Sequence, residues 1–76
     1  MRAKLLKKII FERGQGIGSL AKKAGIKKSL MWLRLMGIGE FRAWEILKIS
    51  GVLGLDKDQI QEIFFGEKVS FRKQKG

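Results

Sequence analysis

Apolar residues recur along the chain at the three- and four-residue spacings of amphipathic helices, and glycines separate these segments. The pattern predicts a first helix over residues 2–13, a second over about 17–23, a third over 28–36 and a fourth over 42 to about 50. Asp56 is a favourable N-cap for a fifth helix, with Asp58 in its first turn. The sequence therefore predicts an all-α fold of five helices with no sheet in its body.

The same periodicity predicts which side chains form the core. On the first helix the apolar stripe contains Leu5, Leu6, Ile9 and Ile10, and on the fourth we expect Ala43, Ile46, Leu47 and Ile49 to face inward. The predicted core is led by Leu6, Ile9, Leu20, Ile26, Met31, Leu35, Ile46, Leu47, Ile60 and Ile63. Since 76 residues bury only a small core, we expect one domain over residues 1–66. Residues 67–76 form a basic C-terminal tail, in which Val69 and Phe71 suggest a short extended segment.

The composition excludes several kinds of chemistry. The chain has no cysteine, histidine or tyrosine, which removes thiol and histidine catalysis and Cys/His metal sites. We interpret Asp56, Asp58 and Glu62 as capping and solvated residues, and a catalytic or metal-binding cluster is the weaker alternative. No apolar run approaches the roughly 18 residues of a membrane span. We therefore expect no enzyme activity, no metal or other cofactor, no small-molecule substrate and no membrane partner.

Positive charge is concentrated in the first half of the chain. The net charge is +10, and through residue 34 Glu12 is the one acidic residue. The basic residues of this half are Arg2, Lys4, Lys7, Lys8, Arg13, Lys22, Lys23, Lys27, Lys28 and Arg34. Such a surface is typical of proteins that bind phosphates, and a lysine-rich solvated surface is the alternative. Weak, non-specific binding of nucleic acid is therefore expected.

The second and third predicted helices carry a family pattern. Leu20-Ala21, Ala24-Gly25-Ile26, Ser29, Met31, Leu35 and Gly37, followed by Glu40-Phe41, resemble the helix-turn-helix of the phage-repressor family, the Cro and lambda-repressor type also called XRE. The resemblance covers roughly residues 3 to 65 and implies a five-helix DNA-binding domain of a cytoplasmic transcriptional regulator. One departure is the start of the second helix, where Gly16, Ile17 and Gly18 replace the usual capping and polar residues.

The resemblance implies that the outward positions of the third helix read DNA bases. These positions are Lys28, Ser29, Trp32 and Leu33, with Leu30 alongside. Trp32 and Leu33 cannot make the bidentate hydrogen bonds that specify sequence. If the chain binds DNA, the expected contacts are Lys27, Lys28, Ser29, Arg34 and Arg42.

The departures from the family favour a second interpretation, in which the former DNA face binds a protein. The expected interface contains Ile17, Ser29, Leu30, Trp32, Leu33, Met36, Ile38 and Trp44. A contiguous exposed apolar patch usually marks a binding site, although Leu30 or Met36 would belong to the core if the third helix were rotated. The leading hypothesis is a protein-binding module, either a designed binder or a phage anti-repressor-like protein, that docks in an apolar groove of another protein. A second copy of the chain is one possible partner, and DNA-binding regulation is the alternative function. A cytoplasmic location follows for the parent scaffold and has no meaning for an engineered chain.

Overall fold

The structure, a computed structural model, describes residues 1–65. The helices are α1 (Ala3–Glu12), α2 (Ile17–Ala24), α3 (Lys28–Leu35), α4 (Ala43–Leu53) and α5, over residues 57–65. The described part of the chain contains no strand, so the predicted all-α class and the five helices are confirmed there. The extended segment predicted at Val69 and Phe71 lies outside the described residues.

All five helices contribute to one core. Buried apolar side chains come from α1 (Leu6, Ile9, Ile10), α2 (Leu20, Ala21, Ala24), α3 (Met31, Leu35), α4 (Ile49, Leu53) and α5 (Ile63, Phe64), with Ile26 at the turn between α2 and α3. The small side chains of Ala21 and Ala24 allow α2 to pack closely against its neighbours α3 and α4. Most of the predicted core is confirmed, and Ile46 and Ile60 are half-buried at its edge.

Helices α1 to α4 end in the same backbone motif. In each case an amide N–H donates to the carbonyl five residues earlier, and the residue before that amide is a glycine with positive φ. The bonds run from Gln15 to Ile10 (3.0 Å), Ile26 to Ala21 (2.9 Å), Ile38 to Leu33 (2.9 Å) and Leu55 to Ser50 (3.0 Å). This is the Schellman arrangement, which satisfies carbonyls that a helix end leaves free. The glycine stops that the sequence pattern predicts at 14, 25 and 37 are confirmed.

Two arginines join elements that are far apart in sequence. The Arg13 Nε donates to the carbonyl of Leu53 at 2.9 Å and so ties the end of α1 to the end of α4. The Arg2 backbone N–H donates to the carbonyl of Ile63 at 2.7 Å, and its guanidinium pairs with Glu62 at 2.8 Å. The ion pair is exposed and contributes little by itself, whereas the backbone bond fixes where α5 lies against the start of α1.

The acidic residues of the fifth helix have the structural roles predicted for them. The Asp56 carboxylate accepts from the Gln59 backbone N–H at 2.7 Å, and the Gln59 side-chain oxygen accepts from the Asp56 N–H at 3.0 Å. This reciprocal pair is a capping box, so the prediction that Asp56 is the N-cap is confirmed. Glu62 pairs with Arg2, and Asp58 is exposed to solvent. Within residues 1–65 these carboxylates form no group suited to hold a metal ion.

The prediction for α4 was right for Ile49 and, at the edge of the core, for Ile46, but wrong for Ala43 and Leu47 and for the end of the helix. The helix begins after Arg42, which is its N-cap, and it continues through Gly51 to Leu53 instead of stopping near Ser50. Its buried residues are Glu45, Ile49, Ser50 and Leu53, whereas Ala43 is exposed and Leu47 is 70% exposed. Glu45 is tolerated inside because its carboxylate accepts from the Arg42 backbone N–H at 2.8 Å, at the positive end of the helix dipole.

Replacing Ser50 should change the free energy of unfolding in a predictable direction. Its hydroxyl is buried and has no hydrogen-bond partner among the described residues. A buried polar group without a partner costs roughly 1–3 kcal/mol, and alanine is the better helix former. We expect Ser50→Ala to raise the free energy of unfolding by about 1 kcal/mol, measured by urea denaturation.

Ser19→Ala is the matched control for Ser50→Ala. The Ser19 hydroxyl oxygen is exposed and accepts from the Gly16 N–H at 3.0 Å, so its removal should cost about 0.5–1 kcal/mol. Equal losses from the two variants would mean that the Ser50 hydroxyl has a partner in solution, which would contradict the prediction.

Candidate functional site

Helices α2 and α3 are joined by a short, rigid turn. Gly25 has φ +74°, a left-handed backbone conformation that residues with a side chain rarely adopt. Ile26 follows it and is buried, and its N–H closes the end of α2 on the Ala21 carbonyl. Lys27 then precedes the first turn of α3. Packing of Ile26 into the core fixes the corner between the two helices, as the sequence pattern predicts.

The start of α2 lacks a conventional cap. Gly16 is the N-cap residue and provides no side chain, which agrees with the departure noted in the sequence. Half of a capping box remains, because the Gly16 N–H donates to the Ser19 hydroxyl at 3.0 Å. The same hydroxyl lies 3.0 Å from the side-chain oxygen of Gln15. Ser19 therefore holds this turn together from inside the helix.

The outer side of α3 is apolar from Trp32 onward. We name Trp32, Leu33, Met36 and Ile38 the α3 patch; their exposed fractions are 46%, 40%, 65% and 55%. Trp32 and Met36 are four residues apart, and Leu33 and Met36 three, so these side chains are neighbours on one helix face. The opposite face carries the buried Met31 and Leu35. The structure thus brings four of the predicted interface residues together on one surface.

Ile38 belongs to the α3 patch because of the way α3 ends. In a Schellman motif, the residue after the glycine commonly contacts the residue five positions earlier. At the ends of α2 and α4 these residues, Ile26 and Leu55, pack against the core. At the end of α3 the corresponding Ile38 is exposed, and its N–H bonds to the carbonyl of Leu33. The turn therefore extends the apolar face of α3 beyond the last residue of the helix.

Two cations of α3 lie against glycines. The Lys28 side chain runs past Gly18, and its Cε would be 3.4 Å from a β-carbon at that position. The Arg34 guanidinium lies over Gly39, 3.1 Å from where a β-carbon would be, and its Nε donates to the Glu40 carbonyl at 2.8 Å. A β-carbon at Gly18 would make an ordinary contact with Lys28, whereas one at Gly39 would crowd the Arg34 guanidinium. Each cation lies toward a neighbouring segment of backbone, so neither covers the α3 patch.

The remaining predicted interface residues divide into two groups. Ile17 and Leu30 are half-buried and pack against the core, so they support the surface more than they form it. Ser29 is exposed on the same face as Leu33, one helical turn away. Trp44 is exposed on α4, three residues before the exposed Leu47, and we name these two the α4 pair. Residues 39–43 connect the α3 patch to the α4 pair along the chain.

The residues predicted to contact DNA are mostly free to do so. Lys27, Lys28, Ser29 and Arg42 are exposed, whereas Arg34 is half-buried and committed to the Glu40 carbonyl. Lys22 and Lys23, in the last turn of α2, are also exposed. Lys23 Nζ lies 3.4 Å from the Gln15 side-chain oxygen. The helix pair therefore presents lysines beside its turn.

A second apolar surface was not predicted. Phe11 is 81% exposed at the end of α1 and borders a shallow groove of about 210 Å³ between α1 and the start of α2. The groove is lined by Lys7, Ile10, Phe11, Gln15, Gly16 and Ile17. Phe11 lies outside the apolar stripe of α1. This position in the sequence could have indicated that its side chain is exposed.

In the described part of the chain, no helix combines the length and apolar character needed to cross a membrane. Comparisons of the chain with protein-family models, with characterised proteins and with solved structures found no match.

Proposed function

We propose that this chain is a protein-binding module that docks the α3 patch in an apolar groove of a partner protein. The carrying observation is the exposure of Trp32, Leu33, Met36 and Ile38 on one surface. Single exposed apolar residues are ordinary, but adjoining ones including a tryptophan are typical of a binding surface. Tryptophan supplies much of the energy at interface centres, and the flexible methionine adapts to the shape of a groove.

The arrangement of charge supports the same proposal. Burying an unpaired cation in an apolar groove is unfavourable, so a docking face benefits when nearby cations lie elsewhere. Lys28 and Arg34 both pack against glycine backbone, and Arg34 is also hydrogen-bonded there. The proposed scaffold is a helix-turn-helix of the phage-repressor type, in which α2 and α3 form the helix pair. On that scaffold the α3 patch occupies the face that would otherwise read DNA.

Site-specific photo-cross-linking tests this proposal. A photo-reactive residue at Met36, inside the patch, should form a cross-link with the partner in cells that produce the chain. The same residue at Lys4, exposed on α1, is the matched control and should not. Adding Trp32→Ala should abolish the cross-link from position 36. Equal cross-linking from both positions, or indifference to Trp32→Ala, would contradict docking through the α3 patch.

DNA binding is a second candidate, favoured by the exposed lysines around the turn between α2 and α3. Lys22, Lys23 and Lys27 are exposed beside this turn, where they can contact phosphates. Phosphate contacts give affinity without sequence preference, and Trp32 and Leu33 cannot supply base-edge hydrogen bonds. If the chain binds duplex DNA, binding should therefore be weak and largely indifferent to sequence.

Fluorescence anisotropy with random duplex DNA tests the second candidate. Affinity should fall steeply as salt increases, because each neutralised phosphate releases counterions. Lys27→Ala should weaken binding to all sequences alike and reduce the log–log salt slope by about 1. Trp32→Ala should leave binding nearly unchanged. A single operator bound thousands-fold better than random duplex at physiological salt would support sequence-specific regulation instead.

A further inference from the structure

We infer that the α3 patch and the α4 pair together form a self-complementary surface, and that the partner is a second copy of this chain in a two-fold dimer. This inference rests on the proposed function for its choice of surface. The six side chains, Trp32, Leu33, Met36, Ile38, Trp44 and Leu47, are all exposed, and none carries a charge. An apolar surface without fixed charges can face its own copy without placing like charges in contact.

The loop between α3 and α4 supplies complementary charges. Glu40 and Arg42 are exposed, and both side chains are without a partner among residues 1–65. They adjoin the apolar residues, since Ile38 precedes Glu40 and Trp44 follows Arg42. A two-fold interface repeats every contact, so that residue i meets j and j meets i. With the axis near this loop, Glu40 of each copy faces Arg42 of the other, which gives two ion pairs close to the axis.

The size of the surface is close to what a dimer requires. Two tryptophans and four other large apolar side chains, about half exposed, offer on the order of 500 Å² of apolar surface per copy. A standard interface buries about 800 Å² on each partner, of which a little over half is apolar. Neighbouring backbone and the polar side chains of Ser29, Glu40 and Arg42 provide the remainder. A dimer of moderate affinity therefore needs no further apolar element.

Dimerisation through this surface excludes DNA from the outer face of α3. Ser29 shares that face with Leu33, so a second copy seated on the patch covers it. The dimer and the DNA complex should also respond oppositely to salt. Each copy carries a net charge of +10, so salt screens their repulsion and favours the dimer, whereas salt weakens binding to phosphates.

Sedimentation equilibrium of the full chain, from micromolar to near-millimolar concentration, tests the inference. The chain should dimerise reversibly, and Trp32→Ala should weaken the dimer by more than tenfold. Glu40→Arg and Arg42→Glu should each weaken it several-fold, and the double exchange should restore it, because both ion pairs are then re-formed with reversed sign. Lys4→Glu is the control and should not weaken the dimer. Circular dichroism checks that each variant remains folded.

The outcomes separate this inference from the proposed function. A chain that stays monomeric at every concentration overturns the second copy as partner, as does a dimer that is indifferent to Trp32→Ala. If that monomer still cross-links from Met36 to a different protein in a Trp32-dependent way, the proposed docking surface stands and its partner is another chain. Absence of both dimer and cross-link contradicts both proposals.

Discussion

Met31→Ala should strongly destabilise this domain, although replacing its neighbour Trp32 should not. Met31 is fully buried at the centre of the inner face of α3, so its truncation leaves a cavity in a small core. Such a change costs about 2–5 kcal/mol, and a domain of this size has an unfolding free energy on the order of 5 kcal/mol. The variant should therefore retain about 3 kcal/mol or less, and at the upper end of this loss about half of the molecules should be unfolded at room temperature. Urea or thermal denaturation followed by circular dichroism measures the effect.

Trp32→Ala is the matched comparison, one residue along the same helix. Because Trp32 lies on the outer side and is about half exposed, its truncation should lower the unfolding free energy by about 1 kcal/mol or less. The contrast between adjacent residues tests the orientation of α3 directly. If the two substitutions destabilise the domain equally, Trp32 belongs to the core and the docking surface is lost. Preserved stability in Met31→Ala would equally contradict this orientation.

Trp32→Ala and Leu33→Ala should each lower affinity for the protein partner by more than tenfold. Central apolar anchors of an interface commonly contribute about 2 kcal/mol or more on truncation. The measurement is the dissociation constant, by calorimetry for a partner identified by cross-linking or by sedimentation for a second copy. Residues at the margin should matter less, so Ser29→Ala is expected to change the constant only slightly.

Lys4→Ala separates this effect from a general change in charge. Lys4 is exposed on α1, away from α3 in sequence and outside the apolar residues proposed to dock. Its removal should leave the dissociation constant nearly unchanged. A loss of affinity as large as that of Trp32→Ala would point to the basic surface as the binding site and favour the nucleic-acid candidate.

The helices were predictable where glycine and apolar spacing agree. Gly14, Gly25 and Gly37 each follow the end of a helix, and their positive φ values are the physical reason why the pattern stops there. Core positions on α1 and α2 were predicted because each of these helices has charged residues opposite its apolar stripe. The contrast between the two faces determines the rotation of the helix. Met31 and Leu35 on α3 were predicted from their places in the family pattern, because α3 is apolar on both sides.

The rotation of α4 was not predictable by the same reasoning. Its sequence is apolar on nearly every side, so the hydrophobic pattern does not choose between faces. The structure places Glu45 and Ser50 inside and Leu47 outside, the reverse of the usual preference. Glu45 lies inward because its carboxylate bonds to the Arg42 N–H at the start of the helix. The hydrophobic pattern of the sequence does not indicate this contact with the backbone, so it could not predict that Glu45 lies inward.

Much of the candidate surface was visible in the sequence. Trp32, Leu33 and Met36 exceed what one helix can bury beside Met31 and Leu35, so some had to be exposed. The sequence did not indicate that Leu47 would join the exposed residues. It also did not indicate that Lys28 and Arg34 would lie against Gly18 and Gly39, because those contacts depend on how the helices and the loop pack.

The bond between the Arg2 N–H and the Ile63 carbonyl has a topological consequence. It places the first residue before α1 within 2.7 Å of a residue in the last turns of α5, so the path of the chain through the described domain is nearly a closed ring. If the chain were closed into a ring, the order of the helices along the sequence would depend only on where the ring is opened. A short linker across this junction would allow the chain to be opened elsewhere, and opening it between Gly37 and Gly39 would free α3 from α4 while keeping the core contacts of both.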